Sequence, residues 1–181
     1  QLEQLNKEGI LQARKHFETA VNADEGYVFA LALLGWTYMA ELRYGLTSDC
    51  DATMESLTGL VGQLADLNAE HAETNALRSW WSWYRGDFDL ASTFAHRAVD
   101  EAPNSARILS LCARTFYLNG EWDAAIRGLG QALRLDPHGS LTLRSLTVAL
   151  AFRGDTTDAV RCGELAVERS SEAAKRATAL Y

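Results

Sequence analysis

The chain has 181 residues, is 48% hydrophobic and 23% charged, and carries a net charge of −7. Backbone binding of nucleic acid needs a basic surface, so this charge argues against a nucleic-acid partner. No apolar run reaches the roughly 18 residues that a membrane-spanning helix needs. Three widely spaced cysteines indicate reduced thiols and a cytoplasmic location. The chain begins at Gln1 without a signal-type segment, which suggests a piece of a longer protein.

Three helices are predicted in the first 70 residues, each from apolar or small residues at helical spacing. The first is carried by Ala13, Phe17 and Ala20. The second is carried by Leu31, Leu34, Gly35 and Tyr38. The third, at roughly 52–67, is carried by Leu57, Val61 and Leu64, and follows the loop YGLTSDCD at 44–51.

The next predicted helix ends in the tryptophan-rich stretch WWSWYRGD, residues 80–87. Its apolar stripe has the i, i+3, i+4, i+7 spacing of one helix face and comprises Leu77, Trp80, Trp81 and Tyr84. We expect Trp81 and Tyr84 to pack in the core and Trp80 to lie between the core and the surface. Trp83 lies about 80° from the stripe and is the candidate for a surface anchor. The positions that are apolar in the following hairpin are polar in this helix, namely Asn75, Arg78 and Ser82. We therefore expect either a rotated helix or aromatic rings that reach around to fill the gap.

From this point a repeat of 34 residues runs through the chain. Four sets of residues share the period: Gly86, Gly120 and Gly154; Ala91, Ala125 and Ala159; Ala98, Ala132 and Ala166; Pro103 and Pro137. One period spans two helices that meet at Asn119-Gly120. The first helix turns Leu109, Cys112, Ala113 and Phe116 inward, and the second does so with Trp122, Ala125, Ile126, Leu129, Ala132 and Leu133. Such a hairpin cannot bury its apolar faces alone, so hairpins are predicted to stack.

The length, the turn glycine, the paired alanines and the terminal proline of this unit resemble the tetratricopeptide repeat (TPR). The resemblance implies an all-α solenoid of antiparallel helix hairpins in a right-handed superhelix, with the first helix of each hairpin lining the concave face. The whole chain, 1–181, is then one array. It divides into a half repeat at 1–27, a long repeat with an inserted loop at 28–71, repeats at 72–105, 106–139 and 140–173, and the start of a further helix at 174–181.

The N-terminal run resembles a narrower group, the TPR regions that follow bacterial class III adenylate/guanylate cyclase domains and some winged-helix regulators. The matching residues are Asn6-Lys7, Ala13-Arg14, Phe17 and Ala20, whereas Asp24-Glu25 stands where the group usually has proline. This resemblance implies a regulatory region of a bacterial signalling protein, with any catalytic activity in an attached domain.

The sequence itself contains no pattern typical of a catalytic, cofactor or metal site. The four histidines and three cysteines do not lie at ligand spacing from one another. Cys112 falls on the apolar face of its helix and is expected to be a small core residue. Acidic residues after the turn glycines, such as Glu121 and Asp155, suit helix N-termini better than acid–base catalysis.

The concave positions implied by the TPR resemblance are the candidate partner-binding residues. They are Phe29, Trp36, Met39, Trp80, Trp83, Tyr84, Arg107, Arg114, Tyr117, Arg144 and Phe152. Aromatic residues and arginine are enriched at binding hot spots. The known TPR clamp for a C-terminal carboxylate uses asparagine and lysine, and here those positions hold Trp36, Trp80, Arg114 and Val148. We therefore expect a non-catalytic module that binds a different peptide or protein segment; the alternatives are self-association into a dimer and sensing of a small anionic ligand.

Overall fold

The computed structural model describes the backbone of residues 2–67 and 71–179 and the side chains of 7–67 and 71–171. All regular structure in these ranges is helical, which confirms the all-α prediction. The helices are α1 (Leu2–Ala23), α2 (Val28–Tyr44), α3 (Cys50–Asp66), α4 (Ala72–Tyr84), α5 (Phe88–Glu101), α6 (Ala106–Leu118), α7 (Trp122–Leu135), α8 (Ser140–Arg153) and α9 (Thr156–Ala179). None of these described helices is long and apolar enough to cross a membrane. The chain divides into two compact units, one ending at Arg78 and one beginning at Ser79.

In the N-terminal unit, Gly35 lies where three helices meet. A β-carbon at this position would overlap the Leu77 side chain of α4 and would lie 3.1 Å from Leu60 Cδ2 of α3. Leu57, Leu60, Leu64 and Leu77 form the surrounding core. The missing side chain at Gly35 is therefore what allows α3 and α4 to pack against α2.

We predict that Gly35→Ala lowers the free energy of unfolding by about 1–3 kcal/mol, because a packed core resists an added methyl group. Urea unfolding followed by circular dichroism measures the change. Gly59→Ala is the matched control, since residue 59 lies inside helix α3 and a β-carbon there would meet no other described part of the chain within 4 Å, apart from its own helix backbone and adjacent residues. The control should be neutral or stabilising by up to about 1 kcal/mol. Equal losses in both variants would contradict this account of the packing.

An ion pair joins α1 to α2 in the same unit. Glu41 of α2 is only 1% exposed, and its carboxylate accepts hydrogen bonds of 2.9 and 3.3 Å from Arg14 Nη1 of α1. The Arg14 guanidinium also donates to Glu18 at 2.7 Å and lies 4.8 Å from the centre of the Tyr38 ring. Burial acts to lower the pKa of Arg14, but the hydrogen bond to Glu18 and the charge of Glu41 outweigh it and raise that pKa. For Tyr38 the effect of burial is the reverse: burial raises its pKa, and the positive charge of Arg14 only partly offsets this rise.

We predict that Arg14→Met destabilises the chain by about 3 kcal/mol at pH 7, because the buried Glu41 carboxylate loses its counter-charge. The double variant Arg14→Met/Glu41→Gln should recover most of the loss, since a neutral amide costs less to bury. Glu18→Gln removes only a partly exposed partner and should cost at most about 0.5 kcal/mol. Urea unfolding of the three variants tests the assignment, and it fails if the double variant is no more stable than Arg14→Met.

In the C-terminal unit, small residues bring paired helices close together. Ala91, Ala98, Ala113, Ala125 and Ala132 are wholly buried at the helix contacts. The three glycines of the 34-residue period, at 86, 120 and 154, all have a left-handed backbone, with φ of 83°, 82° and 97°. Glycine adopts that conformation without steric cost, so each one ends a first helix and turns the chain into its partner.

The last helix differs from the prediction. The repeat pattern predicts that one repeat ends at residue 173 and that another helix begins at 174, whereas the backbone of α9 runs without a break from Thr156 to Ala179. Proline ends α7 two residues after Leu135, at Pro137, but the equivalent position in the last repeat is Ser171. Serine keeps its backbone N–H and does not clash with the preceding turn, so the helix continues.

Candidate functional site

Helix α4 buries two different sides of its surface. Trp81 is buried, as predicted. Tyr84 stacks on it with ring centres 6.4 Å apart but is 48% exposed, so the prediction that Tyr84 packs in the core is wrong. The polar residues Asn75, Ser79 and Ser82 are buried as well. Ser79 Oγ lies 2.8 Å from Thr115 Oγ1 of α6, so the two hydroxyls satisfy each other. Small polar residues are therefore buried on this side of α4. The sequence pattern predicts instead that the helix is rotated or that aromatic rings reach around to fill a gap there.

Trp80 is held in place by α6. Its indole Nε1 donates a 3.1 Å hydrogen bond to the Leu111 carbonyl oxygen. The guanidinium carbon of Arg114 lies 4.3 Å from the centre of the Trp80 ring, which is close enough for a cation–π interaction. The structure thus joins two of the predicted site residues, one from each of two first helices.

Two further arginines occupy the first helices of the same unit. Arg107 lies two helical turns before Arg114 on the same side of α6, and it is exposed. Arg144 is exposed on α8, a helix that contacts α6 and places Thr142 Oγ1 2.9 Å from Ser110 Oγ. We call the set Trp80, Arg107, Arg114 and Arg144 the tryptophan–arginine face.

The other predicted residues of this unit lie in the last turns of the first helices. Tyr117 is buried, with its ring centre 5.9 Å from that of Phe152, so Tyr117 is a core residue rather than a contact residue. Trp83, predicted as a surface anchor, is half-buried against the Phe88 ring at 6.1 Å. Its Nε1 is buried and has no hydrogen-bond partner among the described residues. Tyr84 and Phe152 remain exposed.

Sequence reasoning missed two exposed aromatic residues near these last turns. The helical pattern predicts that Trp122 points inward and gives no role to Phe88, yet both are exposed because they are the first residues of α5 and α7. A residue in the first turn of a helix next to a tight turn has few neighbours to cover it. The 34-residue spacing of Phe88 and Trp122 was the available signal.

The three predicted site residues of the N-terminal unit do not share one environment. Phe29 is exposed and Trp36 is half-buried, but Met39 is only 5% exposed. Met39 therefore belongs to the core of α2, which corrects its assignment to a binding face. The reason is that α2 has buried residues on several of its sides; Leu31, Leu34 and Tyr38 are examples.

The described side chains contain no cluster of three or more histidine, cysteine or acidic groups that could hold a metal ion. Cys112 is buried, as expected for a core residue, whereas Cys50 is exposed. Burial raises the pKa of the half-buried Cys162, and the charge of Asp158 adds to this effect. A raised thiol pKa lowers the thiolate fraction at neutral pH and with it the reactivity.

No protein-family model matches the chain, and no curated protein matches it. Solved structures do. MamA is 19% identical, with 95% of each chain covered and a TM-score of 0.60. YrrB, a TPR protein with an unusual peptide-binding site, is 14% identical over 93% of this chain and 80% of its own, with a TM-score of 0.58. TTC0263, a thermophilic TPR protein of Thermus thermophilus, is 19% identical over 87% of this chain and 76% of its own, with a TM-score of 0.59.

The chain has the TPR fold. The helix hairpins, the turn glycines and the buried alanines described above are the features that this fold requires, and the structural likenesses extend over nearly the whole chain. At such low identities the likenesses establish the shared fold, and the surface residues must be interpreted from their own chemistry.

We predict that Trp80 and Arg114 stabilise each other by about 0.5–2 kcal/mol, the range of a partly desolvated cation–π pair. A double-mutant cycle with Trp80→Leu and Arg114→Met, followed by urea unfolding, measures this coupling. The same cycle with Arg107→Met in place of Arg114→Met is the control and should give additive effects within about 0.5 kcal/mol. Coupling of the same size in both cycles would show that the effect is not specific to the stacked pair.

Proposed function

We propose that this chain is a non-catalytic interaction module that binds an acidic peptide or protein segment on its tryptophan–arginine face. The TPR fold supports this proposal, since structural neighbours include YrrB with its peptide-binding site. The observation that carries it is the distribution of charge between the first and second helices of the C-terminal unit.

Helices α6 and α8 contain no acidic residue, although the whole chain has a net charge of −7. Of their four arginines, three belong to the tryptophan–arginine face, and the fourth, Arg153, pairs with carboxylates at the end of α8. The acidic residues of this unit lie on the second helices and in the turns, as Asp123 on α7 and Asp158 on α9 illustrate. An acidic protein that keeps carboxylates off one set of helices presents a local positive surface. Such a surface attracts segments of opposite charge and raises their association rate.

The geometry of the face suits carboxylates in particular. The guanidinium carbon of Arg114 lies 4.3 Å from the centre of the Trp80 ring. A guanidinium carries its N–H donors in one plane, which is a geometry that matches a carboxylate. Arg107 and Arg144 are exposed and add charge on the same helices. Trp80 itself offers an apolar surface for a neighbouring side chain of the ligand.

The resemblance of the N-terminal run to cyclase-associated TPR regions supports a further part of the proposal. In this further part of the proposal, the module is the cytoplasmic regulatory region of a bacterial signalling protein such as an adenylate/guanylate cyclase. The segment that it binds belongs to a protein that controls this signalling protein. The resemblance depends on residues that include Asn6-Lys7, Ala13-Arg14 and Phe17. Because Arg14 also holds the buried Glu41, its occurrence has a structural reason within this chain.

We predict that a short labelled peptide of alternating glutamate and leucine, with a free carboxyl terminus, binds this chain more tightly than its lysine counterpart. Fluorescence anisotropy at low and physiological salt measures both affinities. The double variant Arg107→Gln/Arg144→Gln should weaken binding of the acidic peptide by about tenfold or more, because two charge contacts of about 1 kcal/mol each are lost.

The control is Arg127→Gln/Arg134→Gln on α7, which removes two exposed arginines from a second helix. It should change the affinity less than about twofold, as surface charges away from a site do. Equal weakening by both pairs would refute binding on this face. If succinate alone displaces the peptide completely, the small-anion sensor is favoured. If sedimentation shows a dimer that Arg107→Gln/Arg144→Gln dissociates, self-association is favoured.

A further inference from the structure

We propose that the C-terminal unit carries a second docking surface along its helix-to-helix turns, which takes a basic amphipathic segment of a partner protein. We call it the turn edge and define it by its exposed aromatic residues, Tyr84, Phe88, Trp122 and Phe152. It goes beyond the function proposed above because it lies on different residues and selects the opposite charge.

Hydrogen bonds between successive hairpins place the three turns side by side. Asn119, in the α6–α7 turn, donates from Nδ2 to the Phe88 carbonyl oxygen at 2.8 Å. Arg153, at the end of α8, donates from Nη1 to Asp123 Oδ1 of α7 at 2.8 Å. The α4–α5 turn is thus joined to the α6–α7 turn, and that turn is joined to the α8–α9 turn. The edge is a continuous strip rather than three separate corners.

The aromatic residues of this strip remain largely exposed, even though Tyr84, Phe88 and Phe152 each contact a neighbouring ring. Their exposed fractions are 48% for Tyr84, 52% for Phe88, 40% for Trp122 and 54% for Phe152. A single exposed apolar side chain is ordinary, but several large ones on one strip form the kind of patch that marks an interaction site. The period of 34 residues repeats the feature, since Phe88 and Trp122 begin successive second helices.

Carboxylates surround the same strip. They are Asp87, Asp89, Glu121, Asp123 and Asp155, against the two cations Arg85 and Arg153. Several also have a role within the fold: Asp87 caps the Leu90 N–H, Glu121 binds Ser92 and His96, and Asp123 and Asp155 pair with Arg153. Each of the three helix N-termini adds only about half a positive charge, so the strip remains negative. Asp123 keeps 71% of its side chain exposed despite its partner.

Charge complementarity decides which occupant fits. A segment with apolar residues on one side and lysine or arginine beside them matches both the rings and the carboxylates. A second copy of this chain pairing edge to edge would place carboxylates against carboxylates, because a two-fold contact uses the same surface on both copies. The acidic ligand proposed for the tryptophan–arginine face is repelled by the strip for the same reason.

The test uses an amphipathic peptide of leucine and lysine at helical spacing and a matched peptide with glutamate in place of lysine. Isothermal titration calorimetry measures the affinity, and a change in tryptophan fluorescence is expected because Trp122 is exposed. The lysine peptide should bind, and the glutamate peptide should show no effect of changes at the turn edge.

The aromatic arm of the test is Phe88→Thr/Trp122→Thr. Threonine occurs naturally at the equivalent first position of α9, Thr156, so the variant is compatible with the fold. Loss of two aromatic contacts should weaken the lysine peptide by at least about tenfold. The control Val160→Thr/Val167→Thr changes two exposed residues of α9 and should alter binding less than about twofold.

The charge arm is Asp89→Asn/Asp123→Asn, which should weaken the lysine peptide severalfold and reduce its salt dependence. Asp100→Asn/Glu168→Gln removes two exposed carboxylates elsewhere and serves as its control. Arg107→Gln/Arg144→Gln should leave the lysine peptide unaffected, which separates this surface from the tryptophan–arginine face. The proposal is overturned if edge and control variants weaken the peptide equally. A native dimer that Phe88→Thr/Trp122→Thr dissociates would also overturn it, since a second copy would then cover the edge.

Discussion

The close approach of paired helices at alanine and glycine positions is the constraint on which the rest of this structure depends. Ala113, Ala125 and Ala132 are wholly buried, and at Gly35 even one added carbon would meet Leu77. Backbones that come this near let the large residues beside them interlock and bury apolar surface. A single hairpin made this way still leaves apolar surface open, so the hairpins stack and present the same helix positions repeatedly.

Because equivalent helix positions recur in each hairpin, charged and aromatic residues outside the core collect on distinct surfaces. Arginines occur on first and second helices alike, but the first helices α6 and α8 carry arginine and no acidic residue at all. Second helices begin with carboxylates that suit their N-termini, and because the hairpins stack, these termini come together along one edge. A local capping preference thereby becomes an acidic strip, and the aromatic residues that begin α5 and α7 lie within it. The two proposed surfaces are therefore opposite in charge, although the net charge of the chain is −7.

How far sequence reasoning succeeded varied with the range of the interaction. The turn glycines at 86, 120 and 154 all adopt the left-handed backbone that their spacing and neighbours indicated, and Trp81 and Cys112 are buried. For the candidate site the success was smaller. The Trp80–Arg114 contact brings two predicted residues together, but Met39 and Tyr117 are core residues, and the pattern gives no role to Phe88. Helical spacing assigns a residue to a side of its helix, and it does not tell how many neighbouring helices cover that side.

The sequence by itself determined the all-α fold, the hairpin unit and its small-residue contacts, because each of these follows from interactions within about 34 residues of chain. Only the tertiary structure decided which polar groups are buried. Glu41 depends on Arg14 from another helix, and Ser79 depends on Thr115 from another hairpin. It also decided that separate turns meet along one aromatic and acidic edge. A buried polar group requires a hydrogen-bond partner, and an aromatic ring stays exposed only where no neighbouring helix covers it. Both conditions are set by residues distant in sequence.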